Sequence, residues 1–409
     1  MNKAGSTRPR ALIVGGSLGG LFAANILHRA GWEVRVFERV AEELSGRGAG
    51  IVTHPELFRA LACAGIEVDD SIGVKVDSRV TLASDGSVLG EVDMPQILTA
   101  WSCLFRLLHS GLPDGIYRNG VNVVAADNSS DGAVITFADG STEHGDLVIA
   151  ADGIRSTIRQ RLLPTVKPEY AGYIAWRGLV DERDLSQPTR DALLEKFAFC
   201  LPPQEQMLGY PVAGLNNAVA AGERRFNFVW YRPADEQTAL PDLLTDVTGK
   251  RFEGGIPPHC IRPDILEAMH AAAREVLAPQ FAEIIRKTPQ PFFQPIFDLQ
   301  SPQLAFGHIA LLGDAAYVAR PHCGMGVTKA AGDALALADA LDRTGDVQAA
   351  LMEYESSRIA FGDAVVNHAR HLGAYMQAQL KNQAEREMAE RYRTPEAVMR
   401  ETAVSTPFY

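Results

Sequence analysis

Apolar and polar positions near the amino terminus predict a strand, a helix and a second strand. The run "ALIVGG" is apolar and rich in β-branched residues, and "LFAANILHRAGW" has apolar residues at helical spacing before a glycine stop. "EVRVFER" then alternates in the manner of a strand. Two strands joined by a helix of this length form a βαβ unit. The pattern therefore predicts an α/β domain with a glycine-rich turn at 15–20.

Later parts of the chain show shorter alternating segments. The stretches 74–92 and 121–153 alternate and are broken by Asp-Gly turns, which favours antiparallel strands. "YIAWRGLV", "MLGYPVAG" and "RFNFVWY" predict a second sheet between 170 and 230. "FGHIALLGDAA" is a buried strand that enters another glycine-rich turn, and an amphipathic helix follows. Beyond residue 345 the pattern is helical and charged.

The composition is that of an acidic globular chain. It has 409 residues, enough for two domains, and a formal net charge of −11. Such an excess of negative charge argues against binding to nucleic acid or to an anionic membrane. The five scattered cysteines have no metal-ligand spacing and predict free thiols in a reducing compartment, without a metal site. No apolar run reaches roughly 18 residues and no signal sequence is evident, so we expect a cytoplasmic protein.

The first turn resembles a dinucleotide-binding motif in which one glycine is a serine. Gly15 and Gly20 occupy the first and third glycine positions, and Ser17 occupies the second. A serine hydroxyl at a helix N-terminus can donate to a phosphate. Glu38 follows about 20 residues later, where an acid accepts from a ribose 2′-hydroxyl. The unit suits FAD or NAD rather than NADP, and the alternative is a glycine-rich turn without a ligand.

Two further turns follow apolar strands and extend the nucleotide motif. Asp152 and Gly153 end one strand, Gly313 and Asp314 end another, and glycines at 324–326 open a helix after a proline-containing loop. Three such turns exceed what a nicotinamide dehydrogenase needs and suit a long ligand. In this order, from about residue 10 to 340, the chain resembles the flavin-dependent aromatic hydroxylases.

The resemblance implies an FAD site assembled from these turns. In that family the first turn and the acid after the second strand bind the ADP half of FAD. The Asp-Gly motif supports the pyrophosphate, and the Gly-Asp motif holds the ribityl region. The glycine helix start points N–H groups at the flavin N1/C2 carbonyl edge. Relatives often have an arginine beneath the flavin, which Trp101 replaces here, with Arg106 as a substitute in another register. The implied FAD-binding residues are Gly15, Ser17, Leu18, Gly20, Glu38, Arg39, Arg47, Gly48, Val52, Trp101, Arg106, Asp152, Gly153, Gly313, Asp314, Gly324, Met325 and Gly326.

The reaction implied by the resemblance is ring hydroxylation. NADH or NADPH reduces FAD, O₂ adds at the flavin C4a position, and the hydroperoxide transfers OH to an electron-rich ring. The expected substrate is a hydroxylated N-heteroaromatic ring, 2,6-dihydroxypyridine or a close analogue. The alternatives are another phenolic ring, such as a salicylate- or hydroxynicotinate-like one, and a flavin-binding protein without oxygen chemistry. A halogenase is disfavoured because no W-x-W-x-I segment is present.

A base or strong acceptor near the ring hydroxyl is the expected catalytic aid. The catalytic candidates are His322, His54 and Pro321, and the substrate-binding candidates are Tyr210, Asn227, Trp230 and Arg177. Either histidine could instead be bonded to backbone, Trp230 could be a core residue, and Arg177 could form a salt bridge within the sheet.

The predicted fold is α/β, with a Rossmann-like FAD-binding domain interleaved with an antiparallel β-sheet substrate domain and followed by a helical C-terminus. The charged C-terminal helix is either a solvated face or a homodimer contact. The predicted boundaries are 1–73, 100–169 and 291–345 for the FAD-binding domain, 74–99 and 170–290 for the substrate domain, and 346–409 for the helical region.

Overall fold

The computed structural model describes residues 8–42 and 50–405. Arg47 and Gly48, which are predicted to bind FAD, lie outside these residues. The α-helices are α1 (Leu18–Arg29), α2 (Pro55–Cys63), α3 (Trp101–Ser110), α4 (Thr157–Leu162), α5 (Gln187–Leu193), α6 (Ala239–Leu243), α7 (Pro263–Val276), α8 (Pro279–Lys287), α9 (Gly326–Thr344), α10 (Val347–Gly373), α11 (Gln383–Tyr392) and α12 (Pro395–Glu401). The strands are β1 (Arg10–Val14), β2 (Glu33–Phe37), β3 (Gly50–Val52), β4 (Val74–Leu82), β5 (Val88–Ala100), β6 (Tyr117–Arg118), β7 (Val123–Asn128), β8 (Ala133–Phe137), β9 (Thr142–Gly145), β10 (Leu147–Ala150), β11 (Glu169–Asp181), β12 (Lys196–Cys200), β13 (Gln206–Val212), β14 (Arg225–Pro233), β15 (Phe292–Gln300), β16 (Ala305–Phe306), β17 (Ile309–Leu311) and β18 (Tyr317–Val318).

A parallel sheet brings the three glycine turns to one edge. Its strand order is β16-β17-β10-β1-β2-β6, and β1 runs parallel to both β10 and β2 while β10 runs parallel to β17. The carboxyl ends of parallel strands meet at the same edge, which is where ligands bind in such sheets. The turns after β1, β10 and β17 therefore lie beside one another, although they are far apart in sequence.

A nine-stranded, mainly antiparallel sheet forms the second layer, in the order β18-β15-β11-β14-β13-β12-β4-β5-β3. Successive side chains of a strand point to opposite faces. On β11, Trp176 is in the core shared with α7 and α8, whereas Tyr173 and Ala175 belong to the core on the other face. That other face also contains Val52 of β3 and faces the FAD-binding half.

The chain passes between the two sheets several times. Strands β3, β4 and β5 join the nine-stranded sheet, β6 and later β10 return to the parallel sheet, and β11 leaves it again. The first three strands of the predicted meander, β7, β8 and β9, form a separate sheet. Its fourth strand, β10, belongs to the parallel sheet instead. Helix α10 then packs on α9, and α12 contacts β4 and β5. The exact domain boundaries stay a prediction.

The described residues contain neither a membrane-spanning helix nor a cluster of metal ligands. No helix in 8–42 or 50–405 is both long and apolar enough to cross a membrane. In the same ranges, no group of three or more His, Cys, Asp or Glu side chains is arranged to hold a metal ion.

Candidate active site

The turn between β1 and α1 requires glycine at two positions. A Cβ at Gly20 would lie 1.9 Å from the carbonyl oxygen of Gly15, and Gly15 itself has a φ of 106°. Ser17 is the N-cap residue of α1, and its side chain makes no capping hydrogen bond. Its hydroxyl and the first amides of α1 therefore stand at a helix N-terminus that favours an anion.

A cavity of about 240 Å³ adjoins this turn on the side of β2. Glu38 lines it, and the carboxylate accepts hydrogen bonds from the backbone amides of Gly16 and Val40, both at 2.9 Å. These two bonds fix the orientation of the carboxylate at the end of β2. The position is the one predicted for contact with a ribose.

Asp152 lines the same cavity and has an unsatisfied oxygen. Its Oδ2 accepts from the Thr157 amide at 2.8 Å and caps α4, while its Oδ1 is buried with no hydrogen-bond partner among the described residues. Burial raises the pKa of this carboxyl. A buried polar atom without a partner is costly, so a ligand that bonds to Oδ1 would be stabilised here.

A larger cavity of about 530 Å³ continues from Ser17 past Gly153 and Asp314 to Gly324 and Gly326. The Asp314 carboxylate is held by the buried Lys329 ammonium at 2.9 Å. Gly324 has a φ of 66°, and α9 begins two residues later with its N-terminus at the cavity. Together the two cavities form a long cleft that is lined by backbone at three turns and bordered by the unpaired Asp152 Oδ1. A cleft of this kind fits a dinucleotide such as FAD.

The nine-stranded sheet supplies the opposite wall of the larger cavity. Arg177, Tyr210 and Tyr231 line it, and the half-buried Arg177 has no hydrogen-bond or ion-pair partner among the described residues. Burial raises the pKa of Tyr210 and raises that of Tyr231 to about 12, against the opposing charge of Arg177. Both hydroxyls are therefore protonated near neutral pH and can donate hydrogen bonds.

Comparison with known proteins identifies this arrangement. Residues 8–74 match the FAD binding domain family, and residues 170–298 match an FAD binding domain-like family. The chain is 32% identical over 372 residues to 2,6-dihydroxypyridine 3-monooxygenase of Paenarthrobacter nicotinovorans, covering 91% of this chain and 92% of the relative. This chain belongs to the FAD-dependent aromatic hydroxylases. The predicted family, fold class and enzymatic nature are thereby confirmed.

Solved structures and a second relative are also similar to this hydroxylase. The structure of 2,6-dihydroxypyridine-3-hydroxylase from Arthrobacter nicotinovorans superposes with a TM-score of 0.85 at 30% identity, covering 93% of this chain and 95% of the other. Klebsiella pneumoniae HpxO complexed with FAD and uric acid shares the fold at 24% identity, with a TM-score of 0.76 and coverage of 96% and 93%. 6-hydroxynicotinate 3-monooxygenase of Bordetella bronchiseptica is 28% identical, covering 86% of this chain and 88% of its own.

Most residues predicted to bind FAD border one of the two cavities of the hydroxylase. Trp101 lines both cavities and stacks on Phe105, whereas Arg106 is exposed and lines neither, so its contact with FAD stays a prediction. Met325 and Gly20 are buried behind the lining. The predicted residues that line a cavity are Gly15, Ser17, Leu18, Glu38, Arg39, Val52, Trp101, Asp152, Gly153, Gly313, Asp314, Gly324 and Gly326.

The two histidines predicted to act on the substrate lie behind the cavity wall. His322 is fully buried, its Nε2 lies 2.7 Å from the Tyr173 hydroxyl, and burial lowers its pKa well below the usual range. His54 contacts the Thr328 hydroxyl through Nδ1 and the Ala403 carbonyl through Nε2. Neither lines the larger cavity, whereas Pro321 does. A direct contact of either ring with a substrate stays a prediction.

Two residues on β14 that are predicted to contact the substrate do not line the larger cavity. Trp230 faces the core on α7 and α8, and its Nε1 donates to the Glu205 carboxylate at 2.8 Å. The Asn227 Oδ1 accepts from the Gly50 amide at 3.0 Å, which ties β3 to β14 without lining the cavity. Sequence reasoning missed Tyr231, although strict alternation after Trp230 places it on the cavity face.

Proposed function

We propose that this hydroxylase uses NADH or NADPH and O₂ to hydroxylate a small N-heteroaromatic ring that carries hydroxyl groups. The proposed substrate is 2,6-dihydroxypyridine or a close analogue. The support is the relative named for 2,6-dihydroxypyridine, which matches almost the whole chain, and a second one named for 6-hydroxynicotinate. FAD, when bound, supplies the reduction of O₂ and the transfer of oxygen to the ring.

The observation that carries the proposal is the unpaired guanidinium of Arg177 in the cavity wall. A ring hydroxyl that loses its proton makes the adjacent carbon more nucleophilic, and a fixed cation stabilises the resulting oxyanion. Tyr210 and Tyr231 remain protonated and can donate to the same oxygen or to a neighbouring one. We infer that Arg177 binds the ionised hydroxyl and that the two tyrosines orient the ring.

The rest of this wall suits a planar apolar ring. Phe197, Leu208, Val229 and Ile296 line the cavity beside the three polar side chains. A few placed polar groups on a largely apolar surface are typical of a small-molecule site. The apolar side chains also exclude water from the reacting ring.

On the opposite side, we infer that the three turns hold FAD. Ser17 and the N-terminus of α1 would bind the pyrophosphate, Glu38 would accept from the adenosine ribose, and Asp152 would bond through its unpaired Oδ1. Asp314 would contact the ribityl chain. The N-terminus of α9 at Gly326 would face the edge of the flavin that becomes negative on reduction.

The test is oxidation of NADH and of NADPH by the FAD-loaded protein, with and without 2,6-dihydroxypyridine, while H₂O₂ is measured. 6-Hydroxynicotinate and salicylate serve as comparison rings. Strong stimulation by 2,6-dihydroxypyridine with little H₂O₂ is the expected result. Stimulation by another ring alone would replace the proposed substrate. A lack of stimulation by all three, or oxidation that yields only H₂O₂, would overturn the proposal.

A further inference from the structure

The larger cavity has a wall segment that comes from the far end of the chain. Thr402 and Ala403, directly after α12, line it together with Gly324 and Phe197. Ala403 has a φ of 55°, a conformation that disfavours every residue with a Cβ. Backbone held in this region persists only where surrounding contacts enforce it, and it is concentrated at functional sites.

Arg79 of β4 supplies several contacts to this turn and to the end of α12. It is completely buried, and its guanidinium donates to the carbonyl oxygens of Met399, Thr402 and Ala403. No carboxylate pairs with Arg79 among the described residues. Burying an arginine without a counter-ion is costly, so its hydrogen bonds to backbone are what keep it in place.

Further contacts fix this part of the wall, and two of them hold the turn against the loop at 321–326. The Ala403 amide donates to the His322 carbonyl at 2.7 Å, and the Gln96 side-chain amide donates to the Ala403 carbonyl at 3.2 Å. A Cβ at Gly324 would lie 2.9 Å from that of Ala403, so the close approach depends on glycine. Arg79 also stacks on Phe197, 4.9 Å from the ring centroid. One buried cation therefore fixes two parts of the same wall.

We propose that the turn at 402–403, held by Arg79, is the wall that limits the size of the ring admitted to the cavity. Arg79 is then a positioning residue, which acts through the turn and through Phe197. The inference rests on the proposed function in taking this cavity as the substrate site. It assigns a specificity role to a turn outside the FAD motifs and to Arg79, which is on β4, a different strand of the sheet that carries Arg177 on β11.

The test compares Arg79→Met with the milder Gln96→Leu, because loss of a buried arginine can impair folding. Arg224→Met is the control, since Arg224 is also a buried arginine of the same sheet region and pairs with Glu182 away from the cavity. Binding of 2,6-dihydroxypyridine and of a two-ring hydroxyquinoline is followed through the flavin absorbance of the holoenzyme. Hydrogen exchange of the peptide containing 399–405 is measured in parallel.

The expected result is a change in preference that general destabilisation does not produce. In Arg79→Met the affinity for the two-ring ligand relative to the one-ring ligand rises about tenfold, and Gln96→Leu moves it in the same direction. Exchange at 399–405 accelerates in both variants, whereas Arg224→Met retains the wild-type ratio and exchange. An unchanged ratio in variants that still bind rings would overturn this inference alone. Failure of the wild type to bind any ring would overturn the proposed function, and this inference with it.

Discussion

Replacing Arg177 by methionine tests the chemistry of the cavity most directly. The change keeps an unbranched, mainly apolar side chain and removes a positive charge that has no ion-pair partner among the described residues. Without the cation the ionised ring hydroxyl is less stable, so the pKa of the bound substrate should rise. Hydroxylation should then require a higher pH, and KM should increase.

The magnitude follows from the position of Arg177. Two unit charges about 4 Å apart interact by about 4 kcal/mol at an effective dielectric constant of about 20. Arg177 is half-buried and borders solvent in the cavity, so a hydrogen bond to a charged group, at about 1.5–3 kcal/mol, is the better guide. With 1.36 kcal/mol per pKa unit, the pKa of the bound hydroxyl should rise by about 1–2 units.

The assay is the pH dependence of coupled NAD(P)H oxidation, together with an absorbance titration of the bound ring. Arg177→Lys is the matched control because it retains the charge and should recover most of the wild-type pH profile. FAD affinity should be unchanged in both variants, since Arg177 lies on the sheet opposite the turn at Ser17. A wild-type pH profile and KM in Arg177→Met would refute the assignment of Arg177 to the oxyanion.

Three further predictions concern the FAD turn and the buried core. Gly20→Ala places a Cβ 1.9 Å from a backbone oxygen, so it should lower the free energy of unfolding by about 1–3 kcal/mol and abolish FAD binding. A normal flavin absorbance in the purified variant would contradict this. Because burial lowers the pKa of His322 below its usual 6.5, its contribution to stability is present above pH 6.5 and is lost as the pH falls. Urea unfolding at pH 7.5 and at about pH 5.5 measures how much free energy of unfolding is lost on acidification. That loss should be smaller in His322→Gln than in the wild type, by up to about 1.4 kcal/mol per pH unit. Equal losses in the two proteins would speak against a neutral buried ring. Arg320→Met removes a buried partner of Asp298 and should cost about 3 kcal/mol in urea unfolding, against about 0–1 kcal/mol for the exposed Arg343→Met. Similar values for the two arginines would show that burial of the Arg320 pair has no energetic consequence.

The FAD half of the site could be predicted from the sequence because its signals are local. Each turn consists of an apolar strand followed at once by glycine or aspartate, and the ends of parallel strands must meet at one edge. The requirement for glycine at Gly15 and Gly20 is a property of the turn itself. The motif spacing therefore indicated the cofactor, and the serine at Ser17 did not disturb the turn.

The substrate half was decided by packing between segments distant in sequence. The same strand presents Trp230 to one core and Tyr231 to the cavity, and the sequence alone does not say which face is opposite the flavin turns. His322 lies in the predicted loop, but its ring is buried against Tyr173 of β11 and does not line the larger cavity. Thr402 carries no motif, and it lines the cavity only because α12 packs on β4 and β5. Motifs are read from neighbours along the chain, whereas burial and charge pairing depend on contacts that exist only after the whole chain has folded.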